Sequence, residues 1–104
     1  AVFGSGPAFI AYIINTYLIA AKKLSSKSKI KDFDLIKLFQ NVLELNNSSE
    51  DLERFVMAIA SKKGTTQAGV NYLKSQNIKK TIYTTLDRAY KRAKELSVEK
   101  KSTK

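Results

Sequence analysis

The sequence predicts an all-α fold, about five helices that build an intertwined dimeric bundle. Three observations carry this. Apolar residues recur at three- and four-residue spacing along most of the 104 residues, and no stretch alternates apolar and polar between hairpin turns. One Pro and four Gly leave few helix breakers. The segment AFIAYIINTYLIAA, Ala8 to Ala21, is apolar on nearly every side, which a small single-chain bundle cannot bury, so a second chain is expected to cover it.

The first helix starts at Pro7, a residue suited to the first turn because its missing N–H costs nothing there. Gly4, Ser5 and Gly6 form a flexible lead into it. Its apolar run is shorter than the ~20 residues of a membrane span, holds Asn15 and Thr16, and follows no basic region, so neither an anchor nor a signal peptide is expected. Ser25 to Lys31 is a polar connection. Asp32 or Asp34 can cap the second helix, whose stripe is Leu35, Ile36, Leu38, Phe39, Val42 and Leu43. Asn46-Asn47-Ser48-Ser49 ends it. Ser48 is the expected cap of a third helix, with Glu50 and Asp51 near its positive end and Leu52, Phe55, Val56 and Ile59 on its buried face.

Ser61-Lys62-Lys63-Gly64-Thr65-Thr66 reads as a turn, with Thr65 capping a fourth helix that carries Val70 and Leu73. Asn77 is the expected cap of a long last helix with the seam Ile78, Ile82, Leu86, Ala89, Ala93 and Leu96, and Tyr90 alongside. The helical domain is expected over 1–97, followed by a basic tail, 98–104, that frays.

Composition removes much chemistry. There is no His and no Cys, so no imidazole or thiolate metal site, no disulfide and no Ser-His or Cys-His nucleophile; no catalytic side chain and no metal ligand are assigned. The lack of Cys fits a cytoplasmic protein. The net charge of +10 invites a polyanion as partner. The basic residues fall in scattered pairs, Lys22-Lys23, Lys62-Lys63, Lys79-Lys80 and Lys100-Lys101, and Arg, the usual reader of base edges, stands only at 54, 88 and 92. No specific nucleic-acid partner and no membrane partner is therefore expected.

Two segments put small residues at a helix N-terminus, where free N–H groups and the helix dipole favour an anion: Gly4-Ser5-Gly6 and Ser61 to Thr66. The first lacks the third glycine of a dinucleotide fingerprint, since Phe9 stands there. The motifs GSGPAF (Gly4–Phe9), SKKGTTQAG (Ser61–Gly69) and DRAYKRAKELS (Asp87–Ser97), in this order, resemble the C-terminal domain of pyrroline-5-carboxylate reductase. The resemblance implies an all-helical dimerisation domain, with the possibility of a higher oligomer of dimers. It also implies NADPH or NADH held mainly by an N-terminal Rossmann domain that this chain lacks, and the substrate 1-pyrroline-5-carboxylate. By the same resemblance Ser61, Gly64, Thr65 and Thr66 would bind substrate, and Gly4, Ser5 and Gly6 would lie near the cofactor. Departures from the family pattern are Phe3 for Ser, Asn15 for Glu, and Lys62-Lys63 for Pro-Gly; SSKSKIKD replaces a GLP-type link. Alone, the fragment is expected to be inactive. Two other readings stand beside this one: a basic helical nucleic-acid-binding module, and a reductase-derived dimerisation domain that has lost catalysis.

Overall fold

Five α-helices form where the apolar periodicity places them. The computed structural model describes residues 2–62 and 64–102. In order they are α1 (Gly6–Leu24), α2 (Asp32–Leu45), α3 (Ser49–Lys62), α4 (Gly64–Ser75) and α5 (Ile78–Ser102), with one 3₁₀ turn at Ser26–Ser28. No strand occurs among the described residues, so the all-α expectation holds.

The caps explain most of the boundaries. Pro7 lies in the first turn of α1 as expected. At α2, Asp34 rather than Asp32 does the capping: its Oδ2 accepts the Lys31 backbone N–H at 3.4 Å. Asp32 instead holds Lys22 at 2.7 Å, tying the start of α2 to the end of α1. Lys29 turns the chain between these helices with a left-handed φ of 50°, a conformation costly for a residue with a Cβ. Ser48 caps α3 as read from the sequence, its Oγ accepting the Asp51 N–H at 3.1 Å while the Asp51 carboxylate accepts the Asn47 N–H at 3.0 Å.

Three expectations are corrected. Thr65 does not cap the fourth helix, because α4 already begins at Gly64 and Thr65 sits in its first turn. Asn77 stands immediately before α5, but its φ of 54° makes it the left-handed stop of α4, a role Asn tolerates. The tail expected to fray from 98 is helical as far as Ser102; its Glu and Lys residues are good helix formers that sustain α5 beyond the apolar seam. Thr103 and Lys104 lie outside the described residues.

Packing is local. α1 lies against α2 with Tyr17 and Phe39 edge-to-face, ring centroids 5.2 Å apart, and α3, α4 and α5 pack in succession. The result is a body of 59 × 30 × 27 Å with a radius of gyration of 17.8 Å, where a compact chain of this length has ~13 Å. Burial is correspondingly thin. Among the described residues only Leu18, Leu35 and Ala60 are buried apolar side chains, while Ile10, Ile13 and Ile19 of α1 stay about half exposed. The accessible surface is 9280 Å², roughly 3,400 Å² more than a folded monomer of this mass presents. Obligate homodimer interfaces bury about 2,000–5,000 Å² or more summed over both chains, so a second copy would cover a large share of this surplus. No described helix is long and apolar enough to cross a membrane.

A carboxylate introduced on α1 should break this association. Ile13→Asp, at a position 49% exposed in the single chain, is expected to convert a dimer at low micromolar concentration to monomer or unfolded chain. Sedimentation velocity with circular dichroism reads both; a variant that stays dimeric and helical would show that this face of α1 is not covered by a second copy.

Candidate functional site

The segment read as a turn from Ser61 to Thr66 is a helix-to-helix junction. Ser61 and Lys62 are the last residues of α3 and Gly64–Thr66 the first turn of α4; Lys63 between them lies outside the described residues. The physical reason is local: Lys sustains a helix, so nothing ends α3 before Lys62, and α4 resumes almost at once.

Backbone N–H groups in the first turn of an α-helix have no partner within the helix, so Gly64, Thr65 and Thr66 offer their N–H groups at its positive end. Thr66 is half-buried and Thr65 exposed. A Cβ built on Gly64 would meet nothing within 4 Å, so the space over this turn is open to a ligand. The Ser61 hydroxyl donates to the Ala58 carbonyl at 3.0 Å. With its proton committed, its oxygen can accept a hydrogen bond, which suits an N–H donor better than an anion.

The second segment sits at the other helix start. Ser5 precedes α1 in a helical conformation (φ −91°, ψ −23°) without capping through its side chain. Its carbonyl accepts the N–H groups of Ala8 at 3.0 Å and Phe9 at 3.3 Å. Gly4 and Gly6 both have room for a Cβ, and no glycine takes a positive φ, so neither is required by the turn itself. Gly4 is exposed and Ser5 half-buried, whereas Gly6 is buried, so of the two glycines only Gly4 leaves its backbone approachable from outside.

The two segments do not meet in one chain. Gly6 instead lines a groove of about 400 Å³ between α1 and α5, with Phe9, Ile13, Thr81, Ile82 and Thr85; Ser61, Lys62, Gly64, Thr65 and Thr66 are not among its lining residues. Thr81 and Thr85 were not singled out from the sequence; two threonines four residues apart on the border of an apolar seam are the signal that could have found them. Their hydroxyls are turned to the α5 backbone, Thr85 donating to the Thr81 carbonyl at 2.8 Å and Thr81 to the Asn77 carbonyl at 3.4 Å.

Residues 1–96 match the family described as pyrroline-5-carboxylate reductase dimerisation. The chain belongs to that family. Among curated proteins it is 32% identical over 98 residues to the pyrroline-5-carboxylate reductase of Staphylococcus saprophyticus and, at the same identity and length, to that of Staphylococcus haemolyticus. It is 30% identical to that of Staphylococcus aureus strain COL. The alignment takes in 93% of the chain and 36% of each of these relatives, so the chain spans about a third of their length. No solved structure matches it. The family explains the surplus of apolar surface, since its members' matched segment is a dimerisation unit.

Composition leaves this dimerisation domain without an imidazole or thiol to titrate near neutral pH. Lys91 is held above the usual lysine value by its hydrogen bond and charge attraction to Asp87, 2.9 Å away. A raised lysine stabilises at every pH below about 10.5 and loses that contribution only above it. With no His and no Cys, helix content and oligomeric state should stay constant between about pH 6 and 9 at fixed ionic strength. A sharp transition inside that window, followed by circular dichroism and light scattering, would contradict this.

Proposed function

We propose that the chain is the dimerisation and substrate-binding domain of a cytoplasmic oxidoreductase that reduces 1-pyrroline-5-carboxylate to proline with NADPH or NADH. The observation that carries this reading is the α3–α4 junction, where Ser61, Gly64, Thr65 and Thr66 of the family-like motif gather at the open N-terminus of α4. The reading rests also on the relatives, which carry that reductase's name over a region three times as long. Proline formation from this imine needs a hydride, which the nicotinamide supplies when bound. Within Gly4–Gly6, the exposed Gly4 backbone fits close approach by that flat ring, while Gly6 is buried; the bulk of the cofactor belongs to a Rossmann domain outside this chain.

The chain's own task is orientation and charge. Backbone N–H groups of Gly64–Thr66 and the Thr66 hydroxyl hold the substrate carboxylate at the positive end of α4. Ser61, whose oxygen is left as an acceptor, receives the N–H of the protonated imine. Protonation makes the ring carbon a better hydride acceptor, and solvent supplies the proton, so no acid–base side chain is needed. The working unit is a homodimer, or an oligomer of dimers.

A second reading has one observation in its favour. The family's Pro-Gly is Lys62-Lys63 here, and α3 runs through Lys62. A substrate loop shortened in this way fits a dimerisation domain that has lost catalysis.

Two substitutions in the full-length protein separate these readings. Thr66→Ala is expected to raise KM for pyrroline-5-carboxylate by about ten- to a hundredfold with little change in kcat, the signature of a charge-assisted hydrogen bond present in ground and transition states alike. Gly64→Ala, which meets no atom of this chain, should leave the fold intact and weaken substrate use by crowding the ligand. Unchanged steady-state constants in both variants would place substrate elsewhere. A wild-type protein inactive with both nicotinamide cofactors would put the second reading first.

A further inference from the structure

One stripe of α5 lies beside the apolar seam, bordering it at Tyr90, and takes no part in the α3–α4 junction. Lys80, Tyr83, Asp87, Tyr90 and Lys94 follow one another at three- and four-residue spacing, so they share a stripe along the helix; Lys79 and Lys91 flank it. Tyr83 is 72% exposed and Tyr90 54%, and the described lysines of the stripe are exposed as well. Lys94 lies over the Tyr90 ring with its ammonium 5.5 Å from the centroid. Asp87, the acid on the stripe, is already neutralised by Lys91 at 2.9 Å, so Lys79, Lys80 and Lys94 dominate its field.

Two exposed phenol rings about 10 Å apart along a helix, interleaved with ammonium groups, have the composition of a stacking platform for single-stranded nucleic acid. We propose that this stripe binds single-stranded nucleic acid without sequence preference, a function additional to the one proposed above and independent of it. Phosphates pair with the lysines, and unstacked bases lie on Tyr83 and Tyr90. Duplex is a poorer ligand because its bases are stacked on one another and unavailable to the rings. Flat aromatic faces distinguish the stripe from a surface for anionic lipid, which needs apolar side chains to insert beside the charges. Arg-based base reading has no part in it, consistent with scattered lysines that neutralise phosphates without reading bases.

The test is fluorescence anisotropy of a labelled oligothymidylate titrated with the full-length protein at several salt concentrations. Binding at low salt is expected, with log Kobs falling against log[salt] at a slope of about −2 to −3 for three to four phosphate contacts. Replacing both rings, Tyr83→Ala with Tyr90→Ala, should weaken binding about tenfold or more while leaving that slope unchanged. Tyr83→Phe with Tyr90→Phe should restore it. Lys79→Gln, Lys80→Gln and Lys94→Gln together should flatten the slope. Several results would overturn the proposal: no binding at low salt, equal affinity for duplex, preference for phosphatidylserine vesicles over the oligonucleotide, or affinity indifferent to the alanine pair. A change of sedimenting mass in the phenylalanine pair would overturn it too, by assigning the rings to a contact between copies of the chain.

Discussion

Apolar helix faces that five helices cannot cover among themselves are the constraint on which the rest of this structure depends. α1 carries isoleucines on several sides, and packing against α2 still leaves Ile10, Ile13 and Ile19 half exposed. The stabilisation available to one chain is correspondingly small: three buried apolar side chains among the described residues cannot offset the conformational entropy of ordering a hundred-residue helical chain. The long axis of 59 Å expresses the same fact geometrically, since an elongated monomer is what remains when the partner that fills its grooves is taken away. Dimerisation is then a condition of folding rather than an association of two finished domains.

The same constraint shapes the candidate site. Ser61 and Thr66 stand at one end of the α3–α4 pair, Gly4–Gly6 at the start of α1, and one chain does not bring them together. Each segment is small-residued, with Gly4 and Gly64 exposed and Gly6 buried, and a Cβ built on any of the three meets nothing within 4 Å beyond its chain neighbours and its own helix backbone. Such surfaces are useful when another body supplies the opposite wall. A helical scaffold that works through backbone N–H groups has no need of histidine or cysteine, and the chain contains neither.

Helix number, order and most boundaries were legible in the sequence because each rests on local chemistry. Ser48 followed by Asp51 is a cap that needs no tertiary context, and Pro7 marks the start of α1 by its own geometry. The errors came where two local rules competed. Thr65 is a good cap by type, but Gly64 begins α4 first, and Asn77 is equally suited to capping a helix and to ending one through a left-handed turn. The end of the apolar seam is not the end of the helix, since Glu and Lys are good helix formers that carry α5 on to Ser102. The sequence offered SKKGTTQAG and GSGPAF as candidate segments, but not that Gly6, Thr81 and Thr85 line one groove, which depends on tertiary arrangement that periodicity along each helix does not encode.

The central claim, that folding and association are one event, is tested most directly by thermal unfolding at two widely separated protein concentrations. If the apolar surplus of each chain is covered by a second copy, Tm rises with concentration, as mass action requires when two chains unfold together, and the folded species sediments at about twice the 11.7 kDa chain mass. A Tm independent of concentration, with a helical species at the mass of one chain, would contradict the account.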